Sequence, residues 1–146
     1  MFKTFEGELH WVRAHSPEVG FKSRPSDPDK LVWRAALIPT KESLMDVMDL
    51  QSMGVKNKLK KTDDNRYMIN FTRPTERVDK KGKVLQRFDP PKILDAEGVE
   101  VTEPIGNGSK GSITVEVYQH GAPGGATAHA ARLHSIKVTE LVKYKP

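Results

Sequence analysis

Apolar and polar residues alternate with a period of two in several separate stretches of this chain, as in strands half-buried in a sheet. Over residues 5–13 the alternation places Phe5, Leu9 and Trp11 on one face and Glu6, Glu8 and His10 on the other. Residues 66–73 set Tyr67, Ile69 and Phe71 opposite Arg66, Met68 and Asn70, so at least one of the two rings is expected in the core. Residues 113–118 separate Ile113, Val115 and Val117 from Thr114, Glu116 and Tyr118, which predicts an exposed Tyr118. Residues 132–142 set Ile136, Val138 and Val142 against Lys137 and Thr139. Residues 31–38 are apolar apart from Arg34 and read as a strand covered on both sides. A shorter strand is expected at 92–94, before the turn Asp95-Ala96-Glu97-Gly98.

One segment breaks the series. Thr40 is a suitable N-cap for a helix over 41–53, and Gly54 suits its C′ position. Leu44, Val47 and Met48 form the expected apolar stripe, with the three Met residues of this segment filling gaps in the core. Long connections are expected at 16–30 and 119–128. Five or six strands with one helix between the second and third predict a mainly β fold, a small barrel; the OB fold is the commonest barrel of this size. The length of 146 residues fits one domain over 1–146.

Charge changes the picture. Lys and Arg number 24 against 19 Asp and Glu, a net charge of +5. Residues 56–92 alone hold 12 basic and five acidic residues, so the whole positive excess lies in one segment. Such a run can be no more than a solvated face, but Tyr67, Phe71 and Phe88 interleave with its cations. Rings among lysines and arginines are what single-stranded nucleic acid requires: faces for bases and charges for phosphates.

Other chemistry finds little support. The chain has no Cys, which removes disulfides, thiolate nucleophiles and zinc ribbons. Gly106-Asn107-Gly108-Ser109-Lys110-Gly111 matches G-x-G-x-x-G, yet it leads into the β-branched run SITVEVY and not into a helix, so it reads as a turn. The five His residues show no metal-ligand spacing, and no metal or other cofactor is expected. No apolar run is long enough to span a membrane, and the start lacks the apolar core of a secretory signal, so a soluble intracellular protein is expected.

The run Phe88-Asp89-Pro90-Pro91-Lys92-Ile93-Leu94-Asp95-Ala96-Glu97-Gly98, then Ile105-Gly106-Asn107-Gly108-Ser109-Lys110, resembles the small OB-fold single-stranded DNA-binding proteins of tailed bacteriophages. Residues 133–141 are similar to that family's final strand and residues 31–38 to its second. The resemblance implies sequence-independent binding of single-stranded DNA during phage replication and recombination, in the cytoplasm of the infected bacterium. Members of the family often end in an acidic tail that recruits replication proteins and competes with DNA for the groove. This chain departs from that pattern, ending in the basic Lys143-Tyr144-Lys145-Pro146.

The expected function is therefore single-stranded DNA binding, without enzymatic activity. The expected cations are Arg34, Lys58, Lys60, Lys61, Arg66, Arg73, Lys110 and Arg132. The expected stacking platforms are Trp33, Tyr67, Phe71 and Tyr118, with Trp11 and Phe88 next. Trp33 lies in the most apolar strand, where core packing competes with stacking. The alternative is an OB-like interaction module that docks an acidic partner through the same basic face. A small hydrolase would need a carboxylate cluster that the sequence does not display. Oligomeric state is open at this level.

Overall fold

Among the described residues, nine strands and one helix follow one another in the computed structural model. Those residues are 1–20, 26, 30–79, 81–121 and 127–144. The strands are β1 (Phe2–Val19), β2 (Leu31–Pro39), β3 (Lys60–Lys61), β4 (Tyr67–Pro74), β5 (Glu76–Val78), β6 (Val84–Arg87), β7 (Lys92–Asp95), β8 (Ser109–Gly121) and β9 (Thr127–Glu140); α1 (Lys41–Ser52) lies between β2 and β3. Seven strands form one sheet in the order β3-β4-β2-β1-β8-β9-β7, and β5 and β6 form a separate ribbon. All pairs are antiparallel except β7 with β9. No helix is long and apolar enough to cross a membrane among the described residues.

The large sheet curls until β4 stands beside β9, where the Arg73 guanidinium donates to the Leu133 carbonyl at 3.3 Å. Inside the curl, the Phe5 ring of β1 lies parallel to the Phe71 ring of β4, centroids 6.0 Å apart. Leu9, Leu37, Ile69, Ile113, Val115, Leu133 and Ile136 complete a fully buried core. Each such side chain contributes on the order of 1.5–3 kcal/mol. The fold is mainly β with one helix, as expected; the large sheet has seven strands and is not closed into a barrel, since no ladder joins β4 to β9 among the described residues. Part of each edge that would have to meet is already taken, by β3 at Tyr67 and Met68 and by β7 at residues 135–138.

Two bulges reset the alternation. Trp11 has a φ of 50°, unusual for a bulky residue, and the register of β1 on β2 shifts there. Its amide donates to the Asn107 side chain at 2.8 Å. Leu9 is buried before the bulge and Val12 and Ala14 after it, while Trp11 itself is 51% exposed. Trp11 is thus not on the Phe5 and Leu9 face. A second shift skips His134, so Leu133 and then Ile136 and Val138 face the core. Val142, expected with them, lies exposed beyond β9.

The helix ends where its sequence signals place it. Thr40 accepts from the Ser43 amide at 3.2 Å, and Gly54 carries a φ of 86°. Its buried face is Ser43, Val47 and Leu50, rotated from the expected stripe. The Ser43 hydroxyl accepts from the Glu6 amide of β1 at 2.8 Å, which turns that face to the sheet. Met45 and Met48 consequently point to solvent and fill no core gap; Met53 packs against the core edge.

The run Ile105-Gly106-Asn107-Gly108-Ser109 is structural. A Cβ on Gly106 would sit 2.4 Å from the Lys143 carbonyl, and the buried Ser109 hydroxyl accepts from the Val142 amide at 2.9 Å. The motif holds the end of the chain against the start of β8. In the turn after β7, the Asp95 side chain accepts from the amides of Glu97 and Val99, as the sequence there suggests.

Candidate nucleic-acid interface

Where β4 meets β9, four side chains stack. The Arg132 guanidinium lies 4.5 Å from the Phe88 ring centroid on one side and 4.5 Å from that of Tyr118 on the other. The Arg73 guanidinium lies 5.2 Å from the same Phe88 ring. Strand register produces this grouping. Tyr118 of β8 pairs with Ala130, two residue pairs from Glu116 and Arg132 and so on the same face, and Arg73 precedes the end of β4. Phe88 reaches the cluster because its amide donates to the Thr75 carbonyl, folding the chain back over the end of β4.

Arg73 is held by neutral acceptors, the carbonyls of Asp89 at 2.7 Å and Leu133 at 3.3 Å. Partial burial and the neighbouring Arg132 charge push its guanidinium below its usual value. It remains charged at neutral pH, because arginine starts so high. The counter-charges at the cluster are Glu116, 3.7 Å from Arg132, and Asp89, whose carboxylate acts on Arg73. Among the described residues only Arg132 has a carboxylate within 4.0 Å; Arg73, held by carbonyls, keeps a guanidinium that a phosphate can meet.

A second group joins this one along the outer face of the sheet. Lys56, Lys58, Lys60, Asn57, Asn70 and Thr72 line a shallow recess that reaches Ala131 of β9. The Asn57 side chain, donating to the Asn70 carbonyl at 2.7 Å, brings the lysine segment against β4. Thr72 pairs with Arg34, and Arg34 with Arg13, so these three share one face across β4, β2 and β1. Arg34 is tied to Glu18 at 3.3 Å, and Arg13 lies 5.6 Å from the Tyr144 ring centroid. Arg13 was not singled out in the sequence. The bulge at Trp11 carries it onto this face, and no local pattern announces that.

The remaining expected residues divide sharply. Tyr118 and Tyr67 are exposed, Tyr67 next to Lys61 and Lys60 at the other end of β4. Phe71 has no exposed surface and belongs to the core, so it offers no face to a base. Trp33 is 6% exposed and is likewise corrected from platform to buried residue; its Nε1 has no hydrogen-bond partner among the described residues. Arg66 is committed elsewhere, donating to Glu8 at 2.6 Å and to Asp64 at 2.7 Å. That contact holds the Glu8 carboxyl below its ordinary range, and Asp64 is lowered first by the Thr62 hydroxyl and then by Arg66. Lys110 stands 3.8 Å from Glu140. Arg66 and Lys110 border a different recess, together with Glu8, Asp95 and Glu97. The structure therefore brings together Arg34, Lys58, Lys60, Arg73, Phe88, Tyr118 and Arg132, adds Arg13, and sets Arg66 and Lys110 apart.

No family model matches this chain, and no curated protein matches it in sequence. Its fold is similar to solved structures. The single-stranded DNA binding protein gp2.5 encoded by bacteriophage T7 aligns over 97% of this chain and 92% of its own, with a TM-score of 0.65 and 15% identity. The single-stranded DNA-binding protein of bacteriophage Enc34, in complex with single-stranded DNA, aligns over 99% and 89%, with a TM-score of 0.62 and 12% identity. At these identities the likeness is one of fold.

Proposed function

We propose that this protein binds single-stranded DNA without base specificity and supports replication and recombination of phage DNA in the cytoplasm of the infected bacterium. It does so as a binding protein, not an enzyme. The stack of Phe88, Arg132 and Tyr118 beside Arg73 carries this reading: ring faces for bases and two guanidiniums for phosphates at one seam of the sheet, Arg73 being in no ion pair among the described residues. The recess of Lys58 and Lys60 extends the same face. The order β4-β2-β1-β8-β9, with β4 and β9 side by side and running the same way, supports an OB fold. That barrel is five-stranded and partly open, and its second and third strands form the binding face. Here those strands are β2 and β4. Two solved proteins of similar fold are named for binding single-stranded DNA.

The test is a titration of labelled oligonucleotides, single- and double-stranded, at two salt concentrations. Single strands of different base composition should bind with similar affinity and more tightly than duplex. Log K should fall linearly with log salt, by roughly 0.7 per phosphate neutralised. Equal affinity for duplex of the same length at moderate salt overturns the reading.

A further inference from the structure

The ribbon of β5 and β6 is an element that the fold does not use. Its two strands pair only with each other, Glu76 opposite Arg87 and Val78 opposite Val84. Every side chain of β6 is exposed, Leu85 to 55%. A two-stranded hairpin with uncovered faces is marginal in water by itself. This one is anchored only at its base, where Phe88 donates to the Thr75 carbonyl and Thr75 to the Leu31 carbonyl. At its tip, the Asp79 carboxylate accepts from the amides of Lys81 and Lys83, which spends that acid on shaping the turn.

Its charge is equally one-sided. Residues 76–87 contain five basic and two acidic side chains. Among the described residues, Arg77, Lys81, Lys83 and Arg87 are paired with no carboxylate, although Arg87 lies across the ladder from Glu76. Arg34, Arg66, Lys110 and Arg132, by contrast, each have a carboxylate within 4.0 Å. The ribbon thus carries uncompensated positive charge, and it starts one residue from the Arg73, Phe88 and Arg132 stack.

We propose that the β5–β6 ribbon is an arm that continues the nucleic-acid path, laying Arg77, Lys81, Lys83 and Arg87 along the phosphates of strand that runs past Phe88. This rests on the single-strand reading above. The partner chemistry follows from the charge: a flexible polyanion continuous with the strand stacked at the seam. From Thr75 to its tip the arm reaches at most ~20 Å, at about 3.4 Å per residue. It therefore lengthens the site without altering the stack. Ribbons also fit the major groove of duplex DNA; the position of this one beside the half-buried Phe88 ring and the exposed Tyr118 ring favours the single strand.

The experiment compares oligo-dT of about 6 and about 20 nucleotides, one near the lower end of the range covered by one OB fold and one beyond its upper end. The variant carries Arg77→Gln, Lys81→Gln, Lys83→Gln and Arg87→Gln; all four side chains are exposed, and a thermal melt checks that the fold is kept. It should bind the long oligonucleotide about tenfold or more weakly, with the salt slope reduced by roughly 2.8, four phosphates at about 0.7 each. Binding of the short one should stay within about twofold, because the stack is intact. A Lys58→Gln and Lys60→Gln variant should weaken both lengths. An arm variant with wild-type affinity and slope on the long strand overturns the proposal. So does an equal loss on both lengths, or a loss confined to duplex. If the wild type binds neither oligonucleotide, it is the single-strand reading itself that fails.

Discussion

Arg66 and Arg73 stand at opposite ends of β4, and their surroundings give one functional group two uses. Arg66 is bonded to two carboxylates, Glu8 and Asp64, so its charge is spent inside the protein. It ties the turn before β4 to β1. Arg73 is bonded to two carbonyl oxygens, those of Asp89 and Leu133, which orient the guanidinium without neutralising it. Its nearest charged neighbour in the stack is another cation, Arg132, against the same Phe88 ring. Neutral acceptors can therefore preorganise a cation for an absent anion, whereas carboxylates already occupy that anion's place. Counting basic residues cannot make this distinction.

The comparison breaks most visibly at the seam. Replacing Arg73 and Arg132 together by Gln should weaken single-strand binding by about 100-fold or more, since hydrogen bonds to charged groups contribute roughly 1.5–3 kcal/mol each. The salt slope should fall by roughly 1.4, two phosphates at about 0.7 each. Anisotropy titrations at several salt concentrations measure both. Because Arg73 also bridges β4 to β9, the Arg132→Gln variant alone separates binding from any loss of stability. Unchanged affinity in both variants would place the phosphate path elsewhere.

Tyr118→Ala tests the ring instead of the charge. It should cost roughly 1–3 kcal/mol of affinity with the salt slope nearly unchanged. Tyr118 points away from Ile113, Val115 and Val117, so its loss should open no core cavity, and Tm should hold. If affinity and Tm both stay at wild-type values, no base rests on this ring.

Arg66→Gln should have the smallest effect on DNA, within about twofold, because exposed ion pairs of this kind are already internally satisfied. What it should change is the dependence of stability on pH. Arg66 holds the Glu8 carboxyl below its ordinary value and adds to the lowering of Asp64. A lowered carboxyl contributes stability that is present above its unfolded pKa and lost as pH falls through the folded one. Wild type should melt slightly higher than the variant at pH 7, and the gap should close as the solution is acidified. An affinity loss as large as that of Tyr118→Ala would return Arg66 to the interface.

Much of this was legible in the chain because strands and caps are local. Period-two alternation located β4 and β8 and assigned Tyr118 to the outer face, since successive side chains of a strand must point opposite ways; a continuous apolar run located β2. Thr40 and Gly54 bounded the helix for equally local reasons. The alternation failed at Trp11 and His134, where one extra residue inverts every later position and the cause lies in partners distant in sequence. Long-range pairing likewise decided which cations are free. Glu8 lies 58 residues from the arginine it neutralises, and the Phe88 ring meets Arg73 and Arg132 only where β4 curls against β9. Local patterning in the chain was enough for the core of the large sheet, the helix and a basic, ring-bearing segment, but not for β3, β5 or β6. The tertiary structure decided which rings are covered and which charges remain unspent, because burial and ion pairing depend on what the curled sheet brings together through space.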